Sequence, residues 1–563
     1  MPRAALIKNW CVNRWLTIQL ALIGLLDGFR LGRVTRDPMR SQRAVLARII
    51  AENRDTTFGR RHSFGNMTSY DDFADRVPIS DFEKLRPLIE AQIETGETTL
   101  TSEAPHCYVR TSGTTGKPKD LPLTITHLRS LRRIHRTSLA FQYRACPEAF
   151  SGSVLAIVSP GHEGYLANGK AFGSASGIVA GSTQRQVADK FVVPAPVLTL
   201  QDSRVKYLLI LRLALGRPDI SCIGTANPST LLILGKLYRE HHRELLTDLR
   251  EGTFFLDKEL PEDVASSVKS RLKRCPGRAE ELTRLHALKG DLRIADMWPA
   301  LRMIVTWTCA SAGVAIRSLR NELRAATRIL ELGYISSEFR GTITIGRRAG
   351  SGLPTLETHF FEFAERRQWD RGETGLVTLD QLKKGVEYYI VVTTPSGLYR
   401  YFINDLVRVS GFLHRTPLLK FLQKGKGVTN ITGEKLYESQ VLTAVGKAIA
   451  EIGRTPRFVM MLANEDARIY HLFVETDEGS RPAASLVAAK VDDTLARLNV
   501  EYQSKRESRR LDPVEAHWLR AGTGDAYRRF CVGQGQREGQ FKPIALAYRR
   551  EFQFDLEAQI ESA

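Results

Sequence analysis

The sequence predicts an α/β protein: a large N-terminal domain of several sheets with flanking helices, followed by a small mobile C-terminal α/β domain. Helical and strand-like hydrophobic patterns alternate from end to end, which is the signature of mixed α/β architecture. At 563 residues the chain exceeds what one compact core holds. The run Lys424-Gly425-Lys426-Gly427 interrupts the pattern between two strand-like segments, as a hinge does. The expected division is therefore 1–423 for the large domain, 424–427 for the hinge and 428–563 for the small domain.

Taken in order, Trp15 to Leu26 is an uncharged, mostly apolar stretch behind Arg14, read as a buried first helix and as too short to span a bilayer. Val45-Leu46 and Ile49-Ile50 mark an amphipathic helix. Cys107 to Arg110 is a short strand, and a helix from about Thr126 to Phe141 follows the glycine-rich segment between them. Asn227 as cap, Pro228 at the first helical position and Gly252 beyond the end bracket a helix to about Arg250. In it, His241-His242 reads as a solvated face, because the HExxH spacing of a zinc site is missing. Runs at 154–158, 301–307 and 386–393 are short and rich in β-branched residues, as buried strands are, and 458–463 with 468–473 flank Asn464-Glu465-Asp466 as a hairpin.

The composition, 43% hydrophobic and 25% charged, is that of a folded soluble protein. The formal charge of +19 comes without a basic tail, a zinc-finger spacing or an RNA-recognition signature, so no nucleic-acid partner is expected. Seven scattered cysteines without a CxxC pair point to a reducing, cytoplasmic setting rather than a disulfide framework.

The segment Thr111-Ser112-Gly113-Thr114-Thr115-Gly116-Lys117-Pro118-Lys119 carries the most chemistry. Glycines let the backbone turn its N–H groups toward a polyphosphate, hydroxyls add donors, and Lys119 supplies countercharge. The glycine spacing differs from the GxxxxGK[ST] loop. The nonapeptide resembles instead the nucleotide-binding signature of the adenylate-forming superfamily, which uses ATP.

Two further motifs select a branch. Tyr334-Ile335-Ser336-Ser337-Glu338 resembles the superfamily element whose aromatic faces adenine and whose glutamate holds Mg2+; a carboxylate suits a hard cation bridging phosphates. The block from Gly397 to Phe412, with Tyr399-Arg400-Tyr401 and Asp405, resembles that of the auxin-responsive acyl acid amido synthetases, which conjugate plant hormones to amino acids and have bacterial members. Val77 to Glu83, Pro417 to Phe421 and Glu434-Lys435 extend the likeness over nearly the whole chain.

The resemblance implies that Ser112 to Lys119 bind phosphates, Tyr334 adenine, Ser337 the α-phosphate region, Glu338 magnesium and Asp405 the ribose hydroxyls. It also implies catalytic lysines at Lys435 and at Lys542, the latter in Gly539-Gln540-Phe541-Lys542-Pro543. Phe402 and Asn404 depart from the family pattern, which has Arg and Gly there. The implied reaction activates a carboxylic acid as its acyl-AMP and transfers the acyl group to an amino acid or other amine. Coenzyme A as acceptor, or a catalytically silent nucleotide sensor, are the alternatives.

Overall fold

The computed structural model describes residues 3–111, 119–181, 185–309, 312–346, 350–425, 427–432, 434–477, 479, 481–534, 536, 541 and 543–561. The chain forms two compact units. One comprises Met1–Ala226, Ile233–Trp307 and Leu323–Phe421; the other comprises Leu422–Ala563 together with two short upstream segments, Asn227–Leu232 and Thr308–Glu322.

The larger unit contains three sheets. Strands Ser153–Ile157, Ile220–Thr225, Met303–Thr306 and Arg328–Glu331 pair in parallel in that order. The two central strands, Ile220–Thr225 and Met303–Thr306, are almost wholly buried, which is why they read as apolar runs, whereas burial alternates along Ser153–Ile157. A second sheet pairs Cys107–Thr111 antiparallel with Lys119–Leu123 and parallel with Ala171–Gly173. The third has seven strands, with Phe360–Glu365, Glu387–Thr393, Tyr401–Leu413 and Thr416–Lys424 at its centre.

The hairpin expected around Asn464 is present in the smaller unit, as Pro456–Asn464 against Ile469–Thr476. Period-2 alternation gives this sheet two cores. Val459 and Met461 face helices Glu438–Glu451 and Ala484–Leu498. Phe458, Met460 and Leu462 face a second cluster with Tyr527, Cys531 and Leu556.

Two sequence expectations are corrected. The first helix, α1, runs from Arg3 to Val34, and its stretch Asn13–Val34 is long and apolar enough by length and composition to cross a membrane, yet little of it is buried and most of its residues are half-buried or exposed. The stretch looked short because Asp27 and Arg30 interrupt it, but those charges are satisfied within the fold, Asp27 by Thr137 and Arg30 by Glu357 at 3.2 Å. The helix Ser229–Glu251 breaks at His241 (φ −125°, ψ 21°), and His242 is a packed residue, its ring stacked 4.2 Å from that of His286. Six described cysteines are free thiols.

Arg400 and Glu362 form the deepest described ion pair, at 2.9 Å with side chains 8% and 1% exposed. Arg400 also donates to the carbonyls of Ala74 and Val77, and Tyr70 donates to Glu362. Removing one member leaves a buried charge uncompensated, so Arg400→Met should cost about 3–5 kcal/mol, while Arg400→Met with Glu362→Leu should recover most of it. Urea midpoints test this; an unchanged midpoint in the single variant contradicts it.

Glu438 sits at the start of its helix against Gly427 and accepts from the Ala545 N–H at 2.9 Å. Burial pushes its carboxyl up from 4.5 to about 7. The native state therefore keeps a proton that the unfolded chain has released across this window, so stability is lost as pH rises through it and stays lost above. Glu438→Gln should stabilise the protein by roughly 2–3 kcal/mol at pH about 8 and by little at pH about 5. An equal effect at both pH values contradicts this.

Candidate active site

The ends of the phosphate-loop segment are cross-strand partners: Thr111 lies opposite Lys119 in the hairpin of Cys107–Thr111 and Lys119–Leu123. Ser112, Gly113, Thr114, Thr115, Gly116, Lys117 and Pro118 lie outside the described residues. At the base of the loop Arg110 grips Asp120 through two hydrogen bonds of 2.7 and 2.8 Å, and its guanidinium lies 3.6 Å from the Phe172 ring centre. This clamp was not identified from sequence. Its only trace is a charge of each sign placed symmetrically about the loop. Lys119 lies 5.3 Å from the centre of the Phe82 ring.

Phe82 belongs to a segment that is registered on the Tyr399–Asp405 stretch. Ser80 donates through its N–H to the Arg400 carbonyl at 3.0 Å and accepts at its own carbonyl from the Phe402 N–H at 2.7 Å. The two lie side by side as a parallel bridge between Ser80 and Tyr401. Asp81 and Glu83 are thereby carried next to Tyr401, whose hydroxyl is pushed up by burial and then by the charges of Glu338, Asp81, Asp405 and Glu83. Four carboxylates thus act on one buried phenol. Glu338 is itself half-buried, within reach of solvent.

Asp405 reaches this place through a bulge. Pairing between Glu387–Thr393 and Tyr401–Leu413 runs from Leu406↔Tyr389 to Phe402↔Val391, so Ile403, Asn404 and Asp405 bow out of register. Asn404 takes up the turn at φ 57°, a left-handed conformation that asparagine tolerates. The departure from the family's glycine therefore leaves the backbone path intact. Phe402, where the family has a charge, packs instead on Trp369 (5.0 Å, 20°) and beside Tyr389.

Tyr334 meets Asp405 from the opposite side. Its loop follows strand Arg328–Glu331 and closes on itself: Gly341 donates to the Tyr334 carbonyl at 2.9 Å, Tyr334 N–H donates to Thr342 Oγ1 at 2.9 Å, and Ser336 pairs with Phe339. A Cβ at Gly341 would lie 2.5 Å from the tyrosine ring, so the loop admits only glycine there. The Tyr334 hydroxyl donates to Asp405 Oδ2 at 2.7 Å. Burial, then Asp405, then Glu338 raise its pKa well above the ordinary value. The ring is only 7% exposed, with Phe421 stacked on one face and Phe339 against its edge. The aromatic associated with adenine is here an anchor for the carboxylate associated with ribose. Ser337, half-buried, lies in the same loop.

Lys435, in the smaller unit, stands at φ 38°. That conformation is imposed by its neighbour. Glu434 is fully buried and accepts from the Ile431 and Thr432 N–H groups at 2.6 and 2.7 Å and from the Tyr470 hydroxyl at 2.6 Å. Asn499 Nδ2 ties down the Glu434 and Lys435 carbonyls at 2.9 and 3.2 Å. Tyr470 and Asn499 gave no sequence signal, being 35 and 64 positions beyond Lys435 in other elements. Lys542 lies outside the described residues; its neighbour Phe541 is buried and accepts at its carbonyl from Asn227 Nδ2 at 2.8 Å.

Known proteins resemble this chain along most of its length. The indole-3-acetic acid-amido synthetase GH3.10 of Arabidopsis thaliana is 26% identical over 509 residues, covering 84% of this chain and 85% of that protein. The jasmonoyl-L-amino acid synthetase JAR4 of Nicotiana attenuata is 25% identical over 537 residues, covering 90% and 91%. Among solved structures, a GH3.15 acyl acid amido synthetase superposes with a TM-score of 0.82 at 22% identity, covering 94% of this chain and 95% of that one. A 2-hydroxyisobutyryl-CoA ligase shares the fold more distantly, with a TM-score of 0.53 at 11% identity over 91% and 89% of the two chains. Residues 30–324 match the GH3 family N-terminal domain, 352–424 its central domain and 439–551 its C-terminal domain. With all three domains of that family present in order along its length, this chain belongs to the GH3 family.

Proposed function

We propose that the chain is an ATP-dependent acyl acid amido synthetase. A carboxylate oxygen attacks the α-phosphorus of ATP, the bond to pyrophosphate breaks, and an acyl-AMP forms. The nitrogen of an amino acid or other amine then attacks the acyl carbon and AMP leaves. The observation that carries this reading is the Tyr334–Asp405 hydrogen bond, in a cluster with Glu338 and with the segment that ends at Lys119. Curated relatives matched along about nine-tenths of the chain are named as amido synthetases, which favours an amine over coenzyme A as acceptor.

In this reading Thr111 to Lys119 receive the phosphates and Ser337 lies at the α-phosphate. Asp405 receives the ribose, a task for which a carboxylate with two acceptor oxygens is suited. Tyr334 borders the adenine while fixing Asp405. Glu338 would hold Mg2+, which when bound neutralises phosphate charge. Lys435 and Lys542 supply positive charge to the reacting groups. The segment 424–427 is taken as the hinge of a C-terminal domain, 428–563, whose rotation would separate adenylation from acyl transfer and keep water from the anhydride. A cytoplasmic site of action agrees with the free thiols.

Carboxylate-dependent exchange of pyrophosphate into ATP, screened over aromatic, aliphatic and hydroxy acids, tests the first step. Product analysis with amino acids against coenzyme A tests the second, and a thioester as sole product would overturn the acceptor assignment. Glu338→Gln should lower exchange by about a hundredfold and shift its magnesium optimum upward. Tyr334→Phe, which removes one hydrogen bond to a charged group, should raise the KM for ATP by roughly tenfold with a smaller effect on kcat. Exchange unaffected by both variants would contradict the site.

A further inference from the structure

Helix α1 has two faces. One is docked on the protein: Leu20 and Leu31 are buried, Gly24 lies against Ala140 of the helix Ile125–Ala145, and Asp27 accepts from Thr137. Asn13 donates to the Ser151 carbonyl at 2.9 Å, and Thr35 hydrogen-bonds His414 at 2.7 Å. From Asn13 to Thr35 the helix is thus held against its own unit at several points along its length.

The other face is an apolar stripe with nothing packed over it. Ile18, Leu22, Leu25, Leu26 and Phe29 are 53–71% exposed, and their spacing of four, three, one and three residues sets them on one side of the helix. Exposed Arg14 and Arg33 stand about one turn before and after the stripe, nearly in line with it. Between Asn13 and Ile50 the chain has seven arginines and only two aspartates, and both aspartates are engaged, Asp27 as above and Asp37 as the cap of helix α2 (Pro38–Glu52). On the docked side of the helix, Arg30 and Leu31 border a cavity of about 240 Å³ that Arg48, Arg129, Arg133 and Glu357 also line.

We propose that this face seats the protein on a bilayer containing anionic phospholipid. The stripe enters the interface to the depth of its side chains, and exposed Arg33 extends to the headgroups. The charge pattern decides the occupant. A second copy of this chain would bring the same excess of arginine to the same surface and repel it, whereas an anionic lipid surface complements it.

Co-sedimentation of the full chain with vesicles of phosphatidylcholine, and of phosphatidylcholine mixed with phosphatidylglycerol, tests this. The mixed vesicles should bind at least about tenfold more protein at low salt, and high salt should reduce binding. Leu25→Glu with Phe29→Glu, and separately Arg33→Glu with Arg36→Glu, should each lower vesicle binding about tenfold. Both should leave thermal unfolding and pyrophosphate exchange in solution as in the parent, since the residues are exposed and remote from the nucleotide cluster. Absence of binding to the mixed vesicles, or binding indifferent to Leu25→Glu/Phe29→Glu, overturns the proposal. So does a dimer in light scattering that the same variant dissociates without any vesicle binding, because the stripe would then be covered by a second copy.

Discussion

The geometry of the larger unit is referenced to Arg400. Its guanidinium binds Glu362 on one side and the carbonyls of Ala74 and Val77 on the other, all within the core. Because those carbonyls end the short helix before Ile79, the bond fixes where the chain from Ser80 to Glu83 begins to run beside Tyr401. Five residues after Arg400 the bulge presents Asp405 to Tyr334. A shift of this strand by one residue would move Asp405 to the other face of the sheet and take Tyr401 away from its carboxylates. A buried ion pair is a poor source of net stability, and its value here is as a register pin.

The same economy recurs at Lys435. A glutamate with no exposure spends its lone pairs on two backbone N–H groups, the Thr432 hydroxyl and Tyr470, and so holds the following lysine at positive φ. Strain of about 1–3 kcal/mol is expected for a non-glycine residue held so, and it is tolerated where surrounding bonds over-determine the turn.

Much of this was legible in the sequence, and the reasons are physical. A strand buried on both faces leaves a continuous apolar run, so 301–307 could be located, and a hairpin leaves polar residues at its tip, so Asn464-Glu465-Asp466 could be read. The tolerance of Asn404 for a left-handed turn was legible because it is a property of one residue. What escaped involved partners distant in sequence. Arg110 with Asp120, Tyr470 with Glu434 and the stacking of Phe421 on Tyr334 are pairings that no local pattern encodes. Helix α1 was misread because hydrophobicity reports what a residue prefers and not which of two faces the fold covers. The burial of Tyr334 likewise could not be inferred from a motif that records only its identity.

The central claim is that segments near positions 111–119, 338 and 405 serve one nucleotide. A crystal structure of the full chain with a non-hydrolysable acyl-adenylate analogue tests it most directly. The account predicts phosphate density at 112–118, the ribose hydroxyls on Asp405 and the adenine bordering Tyr334. An adenylate bound away from Asp405, with the Tyr334 loop untouched, would contradict it.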